Sequence, residues 1–310
     1  MRVIIAGIGV QGRKRKEICG AEFVAYVDPH ISDADYKNIE DVPLDFYDAV
    51  LACIPDKPKF ELLKYCLGHG KHVLVEKPLL LGTQEVFSEL TTLARKKNAV
   101  CYTAYNHRFE PHFARMAALI RSGELGKIYS CRMFYGNGTA KLVRDSAWRD
   151  QGAGVLPDLG SHLVDTCAFW FGDEVKIGNW KMVSCNRFEN HAPDHVVLLM
   201  QSPAMRIELE MTLLMWRNHF TCDILAEKGS AHIESLCKWG PTTFTHRTRI
   251  FPSGRPTEVT DTLTQADPTW QLEYTHFKNL IEKKHQADLS WDSKLMEILT
   301  QLEKSIVCLC

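Results

Sequence analysis

Three short segments of this chain carry side chains whose types and spacing could do chemistry. Glu76-Lys77-Pro78 closes a strand-like run, His72–Val75. A lysine there, ahead of a proline that fixes the backbone, can present its ammonium to a crevice beyond the strand end. The same pattern also describes a surface lysine beside a turn. Asp158 and His162 stand four residues apart in Pro157-Asp158-Leu159-Gly160-Ser161-His162. On a helix they share a face, with Asp165 one turn further on. A carboxylate beside an imidazole is a common way to hold a general base near neutral pH. The alternative is an acid at a helix N-terminus with an unrelated histidine. Tyr105-Asn106-His107-Arg108-Phe109 follows another strand-like run, and either lines a crevice or caps the next helix. Arg149 either contacts a small molecule or anchors its loop. Tyr135 either faces such a molecule or packs in a sheet.

A second kind of chemistry is written in glycine. Gly7-Ile8-Gly9-Val10-Gln11-Gly12 directly follows the run Val3–Ala6 and opens a helix. Gly7 permits a tight turn, Gly9 lets the backbone approach a pyrophosphate, and Gly12 lets the helix pack closely on its strand. Amides at the start of that helix, around Val10 and Gln11, then lie at the positive end of its dipole. Asp28 ends the second strand-like run, where a carboxylate can accept hydrogen bonds from ribose hydroxyls. It would repel a 2′-phosphate, and Pro29 stands where an arginine would serve one. This favours NAD. Arg13 and the basic residues after it keep NADP as an alternative. Arg13-Lys14-Arg15-Lys16 otherwise reads as a solvated helix face.

These side chains need a frame to hold them. Short β-branched runs at Val3–Ala6, Glu22–Val27, Ala49–Ile54, His72–Val75 and Ala99–Thr103 alternate with helix-like segments such as Lys59–Leu67 and Thr83–Lys97. That pattern predicts an open, doubly wound α/β sheet with parallel strands covered on both faces. The pattern changes near Gly123-Glu124-Leu125-Gly126. Longer strand candidates follow at Ile128–Tyr135, His195–Gln201, Arg206–Leu214 and Phe220–Ala226, with one helix at Asp158–Phe171 among them. These predict a second, α+β domain with a largely antiparallel open sheet. The expected division is residues 1–122 and 123–310, with the last helix a candidate to pack back on the first domain. Two helices, 269–284 and 293–309, close the chain.

Bulk properties exclude several classes. With 310 residues, 45% hydrophobic, 24% charged and a formal net charge of -1, the chain resembles an ordinary globular protein. Nothing in the charge balance favours nucleic acid or an anionic membrane. The first residues are apolar too briefly for a signal peptide, and no run nears the ~20 apolar residues that span a bilayer. Eleven cysteines without C-x-x-C pairs suggest unpaired thiols in a reducing cytoplasm. No metal site is expected: Pro193 lies between His191 and His195 and breaks the helix that their spacing would need.

Taken together and in order, Gly7-x-Gly9-x-x-Gly12, Glu76-Lys77-Pro78, Asn106-His107-Arg108-Phe109 and Trp148-Arg149 through Asp158-x-x-x-His162 resemble the glucose-fructose oxidoreductase / inositol 2-dehydrogenase / rhizopine-catabolism family. The resemblance covers nearly the whole chain but is less distinctive after about Met215. Cys53-Ile54-Pro55-Asp56 resembles the family's turn near the nicotinamide, with Asp56 in place of the usual Asn. Ala153 stands in the middle of what is commonly a glycine triplet.

A homo-oligomer, dimer or tetramer, is expected because the open face of the second domain's sheet needs cover. The resemblance implies an enzyme that transfers a hydride between NAD(P) and a carbinol or carbonyl carbon of a sugar, cyclitol or nucleotide-sugar. Lys77 would stabilise alkoxide character, His162 would move the hydroxyl proton, and Asp158 would hold the sugar and tune His162. Cys53, Ile54, Pro55, Glu76 and Lys77 would join the glycines and Asp28 around the cofactor. Asn106, Arg108, Arg149 and Tyr135 would contact substrate. Two other readings stay open: reduction of a non-sugar carbonyl or conjugated substrate, and a non-catalytic dinucleotide-binding sensor.

Overall fold

Val3–Ala6 is apolar at four successive positions, and all four are buried. That is the signature of a strand covered on both faces. In the computed structural model, which describes residues 1–147, 149–176 and 178–309 (not the side chains of Lys176 and Cys308), this segment is β1. The chain continues through α1 (Val10–Cys19), β2 (Phe23–Val27), β3 (Ala49–Ala52), α2 (Lys59–Gly68), β4 (His72–Glu76), α3 (Gln84–Lys96) and β5 (Cys101–Ala104). The five strands form a parallel sheet in the order β2-β1-β3-β4-β5. Beyond β2, Tyr36 makes a single parallel bridge to Val27. That bridge lies where a six-stranded dinucleotide fold has its outer strand.

Alternation along the strands divides the core in two. Ile4, Ala6, Val50, Ala52, Val73 and Val75 face Leu63, Leu67, Phe87 and Leu90 of α2 and α3. Val3, Ile5, Ala49, Leu51 and Leu74 face Tyr274 and Phe277 from a helix near the end of the chain.

The remaining elements are α4 (Pro111–Arg121), β6 (Ile128–Gly136), α5 (Ala140–Arg144), α6 (Ser161–Phe171), α7 (Asp173–Lys176), β7 (Trp180–Asn186), β8 (His195–Gln201), β9 (Arg206–Thr212), β10 (His219–Ala226), β11 (Gly229–Glu234), β12 (Thr242–Thr248), β13 (Thr257–Leu263), α8 (Thr269–Glu282) and α9 (Ser290–Leu309). Strands β6 to β13 build one eight-stranded sheet, β13-β12-β11-β10-β6-β9-β8-β7. Its neighbours are antiparallel except β6 and β9, which run parallel. On one face, Cys131, Met133 and Tyr135 of β6 and Phe220, Cys222 and Ile224 of β10 are buried.

The chain divides into two compact units, residues 1–106 with 270–296 and residues 107–269 with 297–310. The expected boundary after residue 122 differs from this division. Helix α4 groups with the second sheet because Phe113 packs on Trp170 and Phe220, and Trp170 Nε1 donates to Phe113 O at 3.0 Å. Helix α8 and the first turns of α9 group instead with the first unit. Among the described residues eight cysteines are free thiols, but Cys185 is disulfide-bonded. The expectation of unpaired thiols fails there, because such a pairing depends on spatial proximity that spacing along the chain does not reveal. Among the described residues, no helix is long and apolar enough to cross a membrane.

Candidate active site

Parallel strands in register end on the same edge of their sheet. Ala6, Val27, Ala52, Glu76 and Ala104 close β1 to β5. The residues that follow them, Gly7, Asp28, Cys53, Lys77 and Tyr105, therefore line one edge. Gly7 sits at the switch point, where the chain leaves β1 first for β2 and then for β3 on the other side.

The glycines there serve three different ends. Gly7 has φ +94°, and a Cβ on it would lie 2.4 Å from Cys53 O. A Cβ on Gly12 would lie 1.9 Å from Gly7 O. Both positions exclude any side chain. Gly9 is the opposite case: a Cβ there would meet nothing within 4 Å. Gly9 is also the N-cap of α1 and offers no side chain to the first amides of that helix. The open space over Gly9, at the positive end of α1, is a cradle that suits a pyrophosphate.

Asp28 is fixed by backbone. Its Oδ2 accepts from Ile8 N at 2.9 Å, and its Oδ1 accepts from His30 N at 2.9 Å and Ile31 N at 3.1 Å. Burial pushes its pKa up, but these three amides outweigh burial and hold it below the ordinary carboxylate value. Its negative charge thus stands permanently at the end of β2. Cys53 N donates to Ala6 O at 2.7 Å, and burial pushes the Cys53 thiol well up, with Glu76 adding to the effect.

Two buried cations organise the strand end that carries Lys77, and the sequence reading missed both. Arg15 is fully buried, so the basic run is not a uniformly solvated face. Its Nη2 lies 2.7 Å from Glu76 Oε1 and 2.8 Å from Glu273 Oε2, and its guanidinium sits over the Trp270 ring. The Glu76 carboxylate is thereby turned to α1. Lys59, 2% exposed, opens α2. Its ammonium donates to Asp56 Oδ1 at 2.6 Å, to Glu76 O at 2.9 Å and to Pro78 O at 2.9 Å. The carbonyls on both sides of Lys77 are therefore held by one ammonium, and Asp56, the departure from the family's turn, supplies its counter-charge. The Lys77-Pro78 peptide is cis. Replacing Lys59 with methionine frees both carbonyls. We expect kcat to fall about tenfold through misplacement of Lys77, while NADH affinity, read by fluorescence titration, changes little. An unchanged kcat would show that the lysine acts on stability alone.

In the second unit a π-helical turn, Leu156–Gly160, runs straight into α6. Gly160 permits this, since a Cβ there would lie 2.9 Å from Met211 Sδ on β9. Gly154, with φ +53°, packs against the Pro193 backbone, and Val155 N donates to Pro193 O at 2.8 Å. The Pro193 loop is itself built on buried Asp194, whose carboxylate accepts from the amides of Phe188, Glu189 and Asn190. These supports place His162 in the first turn of α6, 8% exposed. Its ring stacks on His107, with centroids 3.9 Å apart and planes 16° apart. Tyr135 packs beside both, at 5.5 Å from His107 and 6.5 Å from His162.

The other expected site residues sort as follows. Asp158 lies in the π-helical turn, with Oδ2 3.9 Å from Arg149 Nη2. Arg108 forms a two-pronged pair with Asp165 on α6, donating from Nε to Oδ2 at 2.9 Å and from Nη2 to Oδ1. Its guanidinium thereby serves to fix the turn Asn106–Phe109 to α6. Trp148 lies outside the described residues. Lys238, which the sequence reading missed, donates from Nζ to Tyr135 Oη at 3.0 Å. Among the described residues, no group of three or more His, Cys, Asp or Glu side chains is placed to hold a metal ion.

Comparison with known proteins agrees with this picture. Residues 2–105 match the oxidoreductase family with an NAD-binding Rossmann fold, and residues 113–232 match the GFO/IDH/MocA C-terminal domain. An uncharacterized oxidoreductase of Schizosaccharomyces pombe is 33% identical over 126 residues, 40% of this chain and 33% of that protein. The myo-inositol 2-dehydrogenase of Thermotoga maritima is 30% identical over 169 residues, 53% of this chain and 45% of that protein. The chain thus spans a third to about half of the length of the curated relatives it matches. Levoglucosan dehydrogenase in complex with NADH shares the fold, with a TM-score of 0.82 at 17% identity over 99% of this chain and 97% of that one. With a glycine cradle of the NAD-binding type in its first unit, and with residues 113–232 matching the family's C-terminal domain, the chain belongs to the Gfo/Idh/MocA family of oxidoreductases.

Proposed function

We propose that this protein is an NAD-dependent dehydrogenase or reductase acting on a CH–OH or carbonyl carbon of a sugar or cyclitol. The observation that carries this reading is the imidazole of His162. It is nearly buried, stacked on His107 and flanked by a phenol, in a chain whose other unit holds a dinucleotide cradle. Gly7, Gly9, Gly12 and Asp28 would hold the cofactor, with the backbone of Val10, Gln11 and Cys53–Pro55 around it. When bound, the nicotinamide supplies or accepts the hydride.

The protein's own residues handle the proton and the charge. His162 takes the hydroxyl proton during oxidation and returns it during reduction. Its stacking on His107 fixes the ring plane, so the nitrogen meets the hydroxyl without a search. Lys77, held in place through its flanking carbonyls, donates to the reacting oxygen and stabilises alkoxide character. Asp158 and Arg149 form a polar pair that suits sugar hydroxyls. The permanent carboxylate of Asp28 favours NAD over NADP. Assembly into a homo-oligomer and a cytoplasmic location fit this reading.

The test is a panel of sugars, cyclitols, nucleotide-sugars and non-sugar carbonyls with NAD and NADP, followed by nicotinamide absorbance. Turnover of polyols with NAD supports the reading. Turnover confined to non-sugar carbonyls would replace its substrate class, and dinucleotide binding without any turnover would replace the enzyme by a sensor.

A further inference from the structure

The cations around His162 are not equivalent. Arg108 is matched by Asp165, and Arg149 faces Asp158. Lys238 is different. It sits in the helical turn Cys237–Trp239 that follows β11, and no carboxylate lies within ion-pair distance of its ammonium among the described residues. Burial works against its charge, and Tyr135 first, then the more distant acids Asp267 and Glu110, outweigh that. Glu110 spends its oxygens elsewhere: Oε1 accepts from Cys237 N at 2.8 Å and Oε2 from Cys237 Sγ at 2.9 Å. These bonds fasten the turn that carries Lys238.

What holds the ammonium is neutral. It donates to Tyr135 Oη at 3.0 Å and lies 4.7 Å from the Trp239 ring centroid and 5.4 Å from that of Tyr135. Two aromatic faces and a phenol orient a cation without neutralising it. An ammonium has three donors, and the phenol takes one. Tyr135 touches both groups: its hydroxyl accepts from Lys238 Nζ, and its ring centroid lies 6.5 Å from that of His162. A sugar-sized ring with its reacting carbon at His162 would present a substituent from its far side to Lys238.

We propose that Lys238, with Tyr135 and Trp239, recognises an anionic group on the substrate. The substrate is then a polyol bearing a carboxylate or a phosphate away from the carbon that is oxidised or reduced. A neutral hydroxyl there would accept one hydrogen bond. An anionic oxygen would also bring a carboxylate or phosphate charge within ion-pair distance of the ammonium, where the structure has no carboxylate among the described residues. This rests on the dehydrogenase reading above and narrows its substrate.

The experiment uses the whole protein with NAD and three matched ligand sets: neutral hexoses, the corresponding hexuronic and aldonic acids, and hexose phosphates. Turnover is followed by nicotinamide absorbance, and binding separately by tryptophan fluorescence, for which Trp239 beside Lys238 is the reporter. The expected result is a preference of roughly 10- to 100-fold in kcat/KM for one anionic set over its neutral parent. Lys238→Met brings that ratio close to one, chiefly through KM, and Lys238→Arg restores most of it. Whether acids or phosphates gain identifies the anion. Turnover without an anionic preference, or a preference that survives Lys238→Met, overturns the proposal and leaves the dehydrogenase reading standing. Binding of anions that depends on Lys238 but gives no turnover supports Lys238 as the anion-recognising group and removes the dehydrogenase reading. No anion-dependent signal in either measurement overturns the proposal.

Discussion

Lys77→Ala is expected to lower kcat by about 10²–10³-fold, the loss seen when one donor to a developing oxyanion is removed. The dissociation constant for NADH should change less than about threefold, because the cradle is built from Gly7, Gly9, Gly12 and Asp28 and not from this side chain. The structure makes the experiment clean. The carbonyls on either side of Lys77 are held by Lys59, so truncating the Lys77 side chain does not release the backbone. Stopped-flow or steady-state nicotinamide absorbance gives kcat, and fluorescence titration gives the cofactor affinity. A variant with normal turnover would remove Lys77 from the chemistry. A parallel collapse of NADH affinity would make it a cofactor ligand instead.

The second large effect comes from a single methyl group. Gly12→Ala places a Cβ 1.9 Å from the Gly7 carbonyl oxygen. The atoms it meets first, the Gly7 carbonyl oxygen and carbon, are backbone, so α1 must move off β1. We expect a loss of stability of about 1–3 kcal/mol, the usual cost of overpacking, and at least about tenfold weaker NADH binding as the helix terminus shifts. Gly9→Ala is the informative partner. Its backbone is extended and a Cβ there meets nothing within 4 Å, so thermal stability should be unchanged within about 0.5 kcal/mol. Its NADH affinity should nevertheless fall, because the added methyl occupies space the pyrophosphate needs. If Gly9→Ala binds NADH as tightly as the parent, the phosphates do not lie over this glycine.

The difference between these two glycines shows what the sequence could and could not convey. Spacing identifies all three glycines, since the turn, the close approach and the packing are local backbone requirements. The parallel strands were legible for a related reason: a run such as Val3–Ala6, buried on both faces, leaves no polar position to blur it. In the second sheet, β7, β11, β12 and β13 were not read. Strand β13, Thr257–Leu263, is exposed at nearly every position. It is held to β12 partly by hydroxyl pairs, Thr243 with Thr262 and Thr245 with Thr260. A polar strand of this kind has no apolar alternation to announce it. Arg15 and Lys238 were missed because their partners lie far along the chain: Glu273 for one, Tyr135 for the other. A basic residue reads as solvated until the fold supplies what surrounds it. His162 was legible as a candidate base, but its stacking on His107 was not, since no periodicity relates the two positions.

The pairing of Arg15 with both Glu76 and Glu273 bears on how the chain is made. On the ribosome the first five strands emerge long before Glu273. Until α8 follows, Arg15 has only half of its counter-charge, and the face of β1 formed by Val3 and Ile5 lacks Tyr274 and Phe277. The nucleotide-binding unit therefore stays incomplete while the whole second sheet is synthesised, and it closes only when the polypeptide returns to it. An order of assembly follows: the second sheet has all its strands by Leu263, the dinucleotide-binding unit closes only with residues 270–296, and residues 297–310 then complete the second unit. A nascent chain arrested before residue 270 would expose an apolar sheet face with an under-compensated cation beside it, a form suited to capture by chaperones.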